Sequence, residues 1–196
     1  MGATADCEAI GSGLFGQPVN SVTTIAFVVA GVWVMTRRAD RRWIGAGLIA
    51  TGLGSFLFHG PMPAGAEWAH DVTLAWLILL VAGTGMTWER WTRLSGVVVL
   101  GALFALFPAV ADPIAVALAV VAVPLRIRHD RSPHTWGALS LLAVAAIFGR
   151  LGAAGWPLCD PESLLQPHGL WHLVAAASVA WWATAPTTSE ATQVSS

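Results

Sequence analysis

Long apolar runs, each set off by arginines, acidic residues or helix breakers, constrain this chain more than any other feature of it. A helix needs about 20 mostly apolar residues to cross the hydrocarbon of a bilayer. Runs at 19–36, 43–60, 69–88, 94–110, 113–127, 136–153 and 168–185 read as such spans. The predicted fold class is therefore an all-α membrane protein, a seven-transmembrane-helix bundle occupying 1–185, with a disordered polar tail at 186–196. Three helix starts carry a local marker: Pro18 suits a first turn, and Asp112-Pro113 and Ser132-Pro133 read as a cap followed by a first-turn proline. The fifth run is the shortest and needs its flanks, or a thinned bilayer, to complete a crossing. Asp6 and Glu8 precede the first run with no basic stretch, unlike a cleaved signal peptide.

Composition agrees. Hydrophobic types make up 56% of the chain and charged types 11%, against about a quarter charged in an average soluble domain, too few to coat a water-facing surface. Arginine placement predicts orientation. Arg37, Arg38, Arg41 and Arg42 follow the first run, Arg90 and Arg93 the third, and Arg126, Arg128 and Arg131 the fifth. Basic loops stay cytoplasmic, so the N-terminus is expected outside and the C-terminus inside. All-arginine basic usage and a compact chain point to a bacterial plasma membrane, with an internal eukaryotic membrane as the alternative.

Several function classes drop out. A net charge of -1 with no broad basic face argues against nucleic-acid binding. The absence of lysine removes a retinal-type pump, which needs a Schiff base. Cys7 and Cys159 lack the CxxC spacing of a zinc or redox motif; they are either one bridge or two buried thiols.

The chemistry-bearing residues gather at the predicted outer level. Ser55 and His59 close the second run four residues apart, on one helix face. His70-Asp71 opens the third, and His168 and His172 open the seventh, again four apart. A lone histidine in an apolar helix is more often a satisfied core residue, but ionisable groups inside a membrane are costly and by default mark function. Two histidines one turn apart with a third from another helix make a zinc platform that leaves a position open. Such an ion acidifies water and polarises a carbonyl, Asp71 is placed to move a proton, and Ser55 to hydrogen-bond an oxyanion. Packing alone is the competing account of Ser55, and His70 competes with Asp71 as a neighbour of the metal.

Ser55-x3-His59, Asp71 and His168-x3-His172 resemble the ordered pattern of the CREST superfamily of seven-helix membrane hydrolases. Cys7-Glu8 and Pro18-Val-Asn20-Ser21 look closer to its alkaline ceramidase branch. The resemblance implies zinc held by His59, His168 and His172, with Ser55 and Asp71 as catalytic neighbours, hydrolysing the amide of a ceramide-like lipid drawn from the bilayer to a fatty acid and a sphingoid base. Alkaline ceramidases also bind calcium through an N-terminal acidic cluster. Glu8 matches one acidic position, Gln17 stands where a second carboxylate is expected, and Asp6, Glu8, Gln17 and Asn20 are the candidate calcium residues. The segment 60–71 is not a close match to the eukaryotic enzymes. In the predicted topology Cys7 and Cys159 both lie outside, where oxidation is available, and the family has a comparable pairing; free thiols are the alternative. Two further readings stay open: hydrolysis of another acyl amide or an ester, and a receptor-like bundle with a structural zinc.

Overall fold

The computed structural model describes residues 3–186, and among them every regular element is helical. After a 3-10 turn at Ala3–Asp6 come α1 (Pro18–Thr23), α2 (Ile25–Arg37), α3 (Arg42–His59), α4 (Ala66–Gly83), α5 (Glu89–Leu106), α6 (Ala111–His129), α7 (Pro133–Leu151) and α8 (Pro167–Thr184). Since α1 and α2 form one broken rod, these are seven helical segments at the places the apolar runs predict. The expected tail falls at 187–196, outside the described residues.

Four segments are long and apolar enough to cross a membrane: Pro18–Arg37, Ala66–Gly83, Pro108–His129 and Pro133–Leu151. The other three, α3, α5 and α8, are 18 residues each, but Arg42 and His59, Glu89, Arg90 and Arg93, and His168 and His172 dilute their apolar character.

Some boundaries differ from expectation for local reasons. The first segment breaks at Thr24. Ser21, Thr23 and Thr24 all turn their hydroxyls back onto carbonyls three or four residues earlier, which competes with the regular ladder and bends a helix. Asp112 is not a cap: the 3-10 turn Pro108–Val110 runs directly into α6, so Asp112 and Pro113 sit inside its first turn. The resulting helix of 19 residues is longer than its apolar run suggests. Ser132 does cap α7, its hydroxyl accepting from the Thr135 amide at 3.2 Å.

α3 lies between α2 and α4, α8 packs on α7 and α2, and α4 also meets α5 and α6. Phe27, Val34, Ile44, Leu48, Leu80 and Val179 are among the buried side chains where these helices meet. Small residues set the spacing. A Cβ on Gly31 would lie 2.5 Å from the Gly45 carbonyl oxygen, and one on Gly54 2.9 Å from that of Ala69, so α3 touches both neighbours backbone to backbone. By contrast, α6 shows Val116, Val120 and Val121 on its outside.

The arginine-bearing turns meet at one end of the bundle. Arg41 and Arg126 lie 5.0 and 4.9 Å from the Trp182 ring, and Arg126 donates to the Thr84 carbonyl. Arg38 donates twice to Asp40, each bond 3.0 Å, and holds that carboxyl below its usual range.

Candidate metal centre

At the opposite end, three helix ends and the N-terminal strap converge. His59 is the last residue of α3, while His168 and His172 face the same way from the first two turns of α8. Ring centroids are 4.9 Å apart for His59–His168, 5.2 Å for His59–His172 and 4.7 Å for His168–His172. One nitrogen from each ring lies within 4.8 Å of the others. His59 and His172 are buried.

The second nitrogen of each ring has an oxygen partner, and those partners determine where the protons sit. Gln17 donates its amide hydrogens to the carbonyls of Ala3 and Glu8, both at 2.9 Å, which leaves its Oε1 facing His59 Nδ1 at 2.7 Å. That oxygen only accepts, so His59 carries its proton on Nδ1. Thr23 Oγ1 donates to the Val19 and Asn20 carbonyls and offers a lone pair to His172 Nδ1 at 3.0 Å. Asp6 Oδ1 stands 3.3 Å from His168 Nδ1, and its Oδ2 4.0 Å from His59 Nδ1. With an oxygen beside each Nδ1, the lone pair of each ring falls to Nε2. The buried Nε2 atoms of His59 and His168 have no hydrogen-bond partner among the described residues.

Buried polar atoms are rarely left without a partner. Two such atoms of the same chemistry, beside a third imidazole, could hold a metal ion, and histidine ligands almost always give their other N–H to an oxygen. The residues present therefore fit a transition metal of the borderline-soft class to which zinc belongs.

The strap that supplies Gln17 and Asp6 is well anchored. Gly16 and Gln17 donate backbone bonds to Gly60 and His59, Ala9 to Pro161, and Ala154 to Ala5. Cys7 and Cys159 form a disulfide with Cα atoms 5.6 Å apart. Gly169 lets α8 lie flush on α1, since a Cβ there would come within 3.1–3.2 Å of Val19 and Thr23; that contact keeps Thr23 against His172.

The other anticipated residues are placed as follows. Ser55 is buried one turn before His59. Asp71 accepts from His70 Nδ1 at 2.9 Å, and it is the His70 ring, stacked on Phe58, that comes within 6.2 Å of the His59 ring. Asp71 lines an open cleft of about 390 Å³ with Glu67, Trp68, Phe104 and Pro108. Of the calcium candidates, Glu8 caps α1, its two carboxylate oxygens accepting from the Val19 and Asn20 amides at 2.7 and 2.8 Å. Gln17 and Asp6 are turned to the imidazoles, and Asn20 is fully buried with neither side-chain polar atom hydrogen-bonded among the described residues. Thr23 was not anticipated; nothing in its local pattern distinguishes it from its neighbour Thr24.

No family model matches the chain, and neither a characterised protein nor a solved structure matches it. Fold and site define an all-helical protein, several of whose helices are compatible with membrane insertion, with three close histidines able to bind a metal ion.

Proposed function

We propose that this chain is a seven-span membrane hydrolase that holds zinc through His59, His168 and His172 and cleaves the amide of a ceramide-like lipid. The observation that carries the reading is the set of oriented imidazoles: each Nδ1 is matched to an oxygen, and buried Nε2 atoms are left without a partner. The CREST-like order of Ser55, His59, Asp71, His168 and His172 supports the choice of reaction. Arginine placement supports an outer position for the site, with the N-terminus outside and the C-terminus cytoplasmic.

A zinc ion bound there supplies Lewis acidity toward a carbonyl oxygen and toward water. The chain's own residues do the rest. Gln17, Thr23 and Asp6 hold the imidazole planes, and the strap excludes bulk water from above His59. The Asp71 carboxylate, steadied by the His70 Nδ1 hydrogen, accepts a proton from the attacking water and returns it to the amine as the C–N bond breaks. Ser55 Oγ donates to the carbonyl oxygen as negative charge grows on it. Acyl chains of the substrate lie between the apolar helices.

A second reading, a receptor-like bundle with a structural metal, draws on the engagement of Asp71 by His70 and on the strap that joins the histidine-bearing helix ends. Metal analysis of the purified full chain, with and without chelator, beside turnover of a lipid panel holding ceramide, other acyl amides and esters, separates the readings. The expected result is about one zinc per chain with chelator-sensitive fatty-acid release from ceramide, and His172→Ala losing both metal and turnover. Zinc without turnover of any lipid favours the receptor reading; full turnover by His172→Ala refutes the site.

A further inference from the structure

Leu164 and Leu165 are 85% and 87% exposed, more than any other large apolar side chain among the described residues. They do not hang from a loose segment. Gln166 is buried and donates to the carbonyls of Asp160 and Ser163 at 3.0 and 2.8 Å, the Leu165 amide donates to Ser163 Oγ at 3.0 Å, and the loop is joined to the strap through Cys159 and Pro161. The loop buries Gln166, leaves Asp160 and Glu162 exposed, and holds two adjacent leucines out, an exposure of apolar surface that is unfavourable in water and favourable against an apolar medium.

We propose that this loop, which leads directly into the histidines of α8, seats Leu164 and Leu165 in the interfacial layer of the bilayer as a lipid-surface anchor. The occupant follows from what adjoins the leucines. Trp156 and Leu158 are exposed earlier in the same loop, Ile147 and Phe148 at the end of α7, and Leu170 and Leu173 on the first turns of α8, so the apolar surface of the helices continues along the chain into the loop. A tryptophan beside aliphatic side chains suits the membrane interface. The segment 152–166 contains no lysine or arginine and carries Asp160 and Glu162, so the matching surface is a neutral phospholipid rather than an anionic one. The chain's own remaining residues, 1–2 and 187–196, hold two large apolar side chains, Met1 and Val194, at opposite ends of the sequence, and no apolar run to match the leucine pair. Held at this depth, the loop fixes the height of the histidine site relative to lipid head groups.

The inference rests on the membrane-spanning reading, and the test is arranged to separate the two. Because both native cysteines are joined, Leu164→Cys, Leu165→Cys, Glu162→Cys and Val120→Cys each introduce one thiol for a nitroxide label in the full chain, reconstituted in phosphatidylcholine nanodiscs. Collision of the label with oxygen, which concentrates in lipid, and with water-soluble chromium oxalate reads depth. Labels at 164 and 165 are expected to be shielded from chromium oxalate severalfold relative to the label at 162, with high oxygen accessibility and no dependence on added phosphatidylglycerol. Equal accessibility at 162, 164 and 165 overturns the anchor. So does shielding from both reagents, which means a protein cover such as a second copy, or insertion only when anionic lipid is present. The label at 120, on the outside of α6, distinguishes the failures: protected there but not in the loop, only the anchor falls; exposed at every position, the membrane reading falls with it.

Discussion

Thr23→Val is the sharpest probe of the histidine site, because it removes one oxygen and leaves the shape of the side chain nearly unchanged. The hydroxyl's own donated bonds run to the Val19 and Asn20 carbonyls within its helical turn, so their loss disturbs little beyond the site. What disappears is the acceptor 3.0 Å from His172 Nδ1. Without a metal the His172 ring can respond by moving its proton from Nδ1 to Nε2. With a metal on Nε2 the proton must stay on Nδ1, where it loses its side-chain acceptor and keeps only the Asn20 backbone as a partner, at a cost of up to about 1–3 kcal/mol. The damage should therefore appear in metal affinity rather than in the stability of the metal-free protein. Loss of an outer partner of a metal-bound histidine typically weakens binding about 10- to 100-fold, equivalent to about 1.4–2.7 kcal/mol. Competition of the detergent-solubilised protein against a fluorescent zinc chelator measures the affinity, and thermal unfolding in excess chelator measures the metal-free stability. An unchanged zinc affinity in a folded Thr23→Val protein would falsify the assignment of Nε2 as the ligand atom of His172.

Three other outcomes follow from the same geometry. Removing the disulfide by Cys7→Ser with Cys159→Ser frees the strap that carries Gln17 and Asp6; thermal unfolding should show a loss of about 2–5 kcal/mol, and zinc competition a weaker site. Gly31→Ala places a methyl 2.5 Å from a backbone oxygen of α3, which has no rotamer to retreat into, so chemical unfolding in mixed micelles should report a loss of about 1–3 kcal/mol. Burial pushes the Asp130 carboxyl upward, but hydrogen bonds from Thr135 and Ser132 outweigh it and leave its pKa below the ordinary 3.8. Because the folded value is the lower one, this stabilisation is complete above the ordinary value and disappears as pH falls through the depressed one. Asp130→Asn should accordingly flatten the acid limb of a stability-against-pH curve and leave unchanged the difference in stability between pH 6 and pH 8.

Much of the bundle is legible from local pattern. Apolar runs mark all seven helical segments, and the four-residue spacing of His168 and His172 puts both rings on one face because a helix returns to the same side after about four residues. The level at which the histidines lie follows from counting spans, since antiparallel neighbours return alternate ends to the same side. Where side-chain hydroxyls compete with backbone bonds, as at Thr24, or a 3-10 turn feeds a helix, as before Ala111, the apolar pattern is blind to the boundary.

The amino-acid sequence by itself determined that this chain is helical and apolar and that it carries imidazoles at intervals suited to a metal, because periodicity and composition act over a few residues at a time. Only the tertiary structure decided which oxygen meets which ring: Gln17 and Asp6 arrive on a strap pinned by the Cys7–Cys159 bridge, and Thr23 arrives on a helix brought flush by Gly169. It likewise placed the His70 ring 6.2 Å from the His59 ring and paired His70 Nδ1 with Asp71. A partner separated by tens of residues is chosen by how helix faces pack and by which polar atoms burial leaves unpaired, and neither quantity is written in the spacing of a single run.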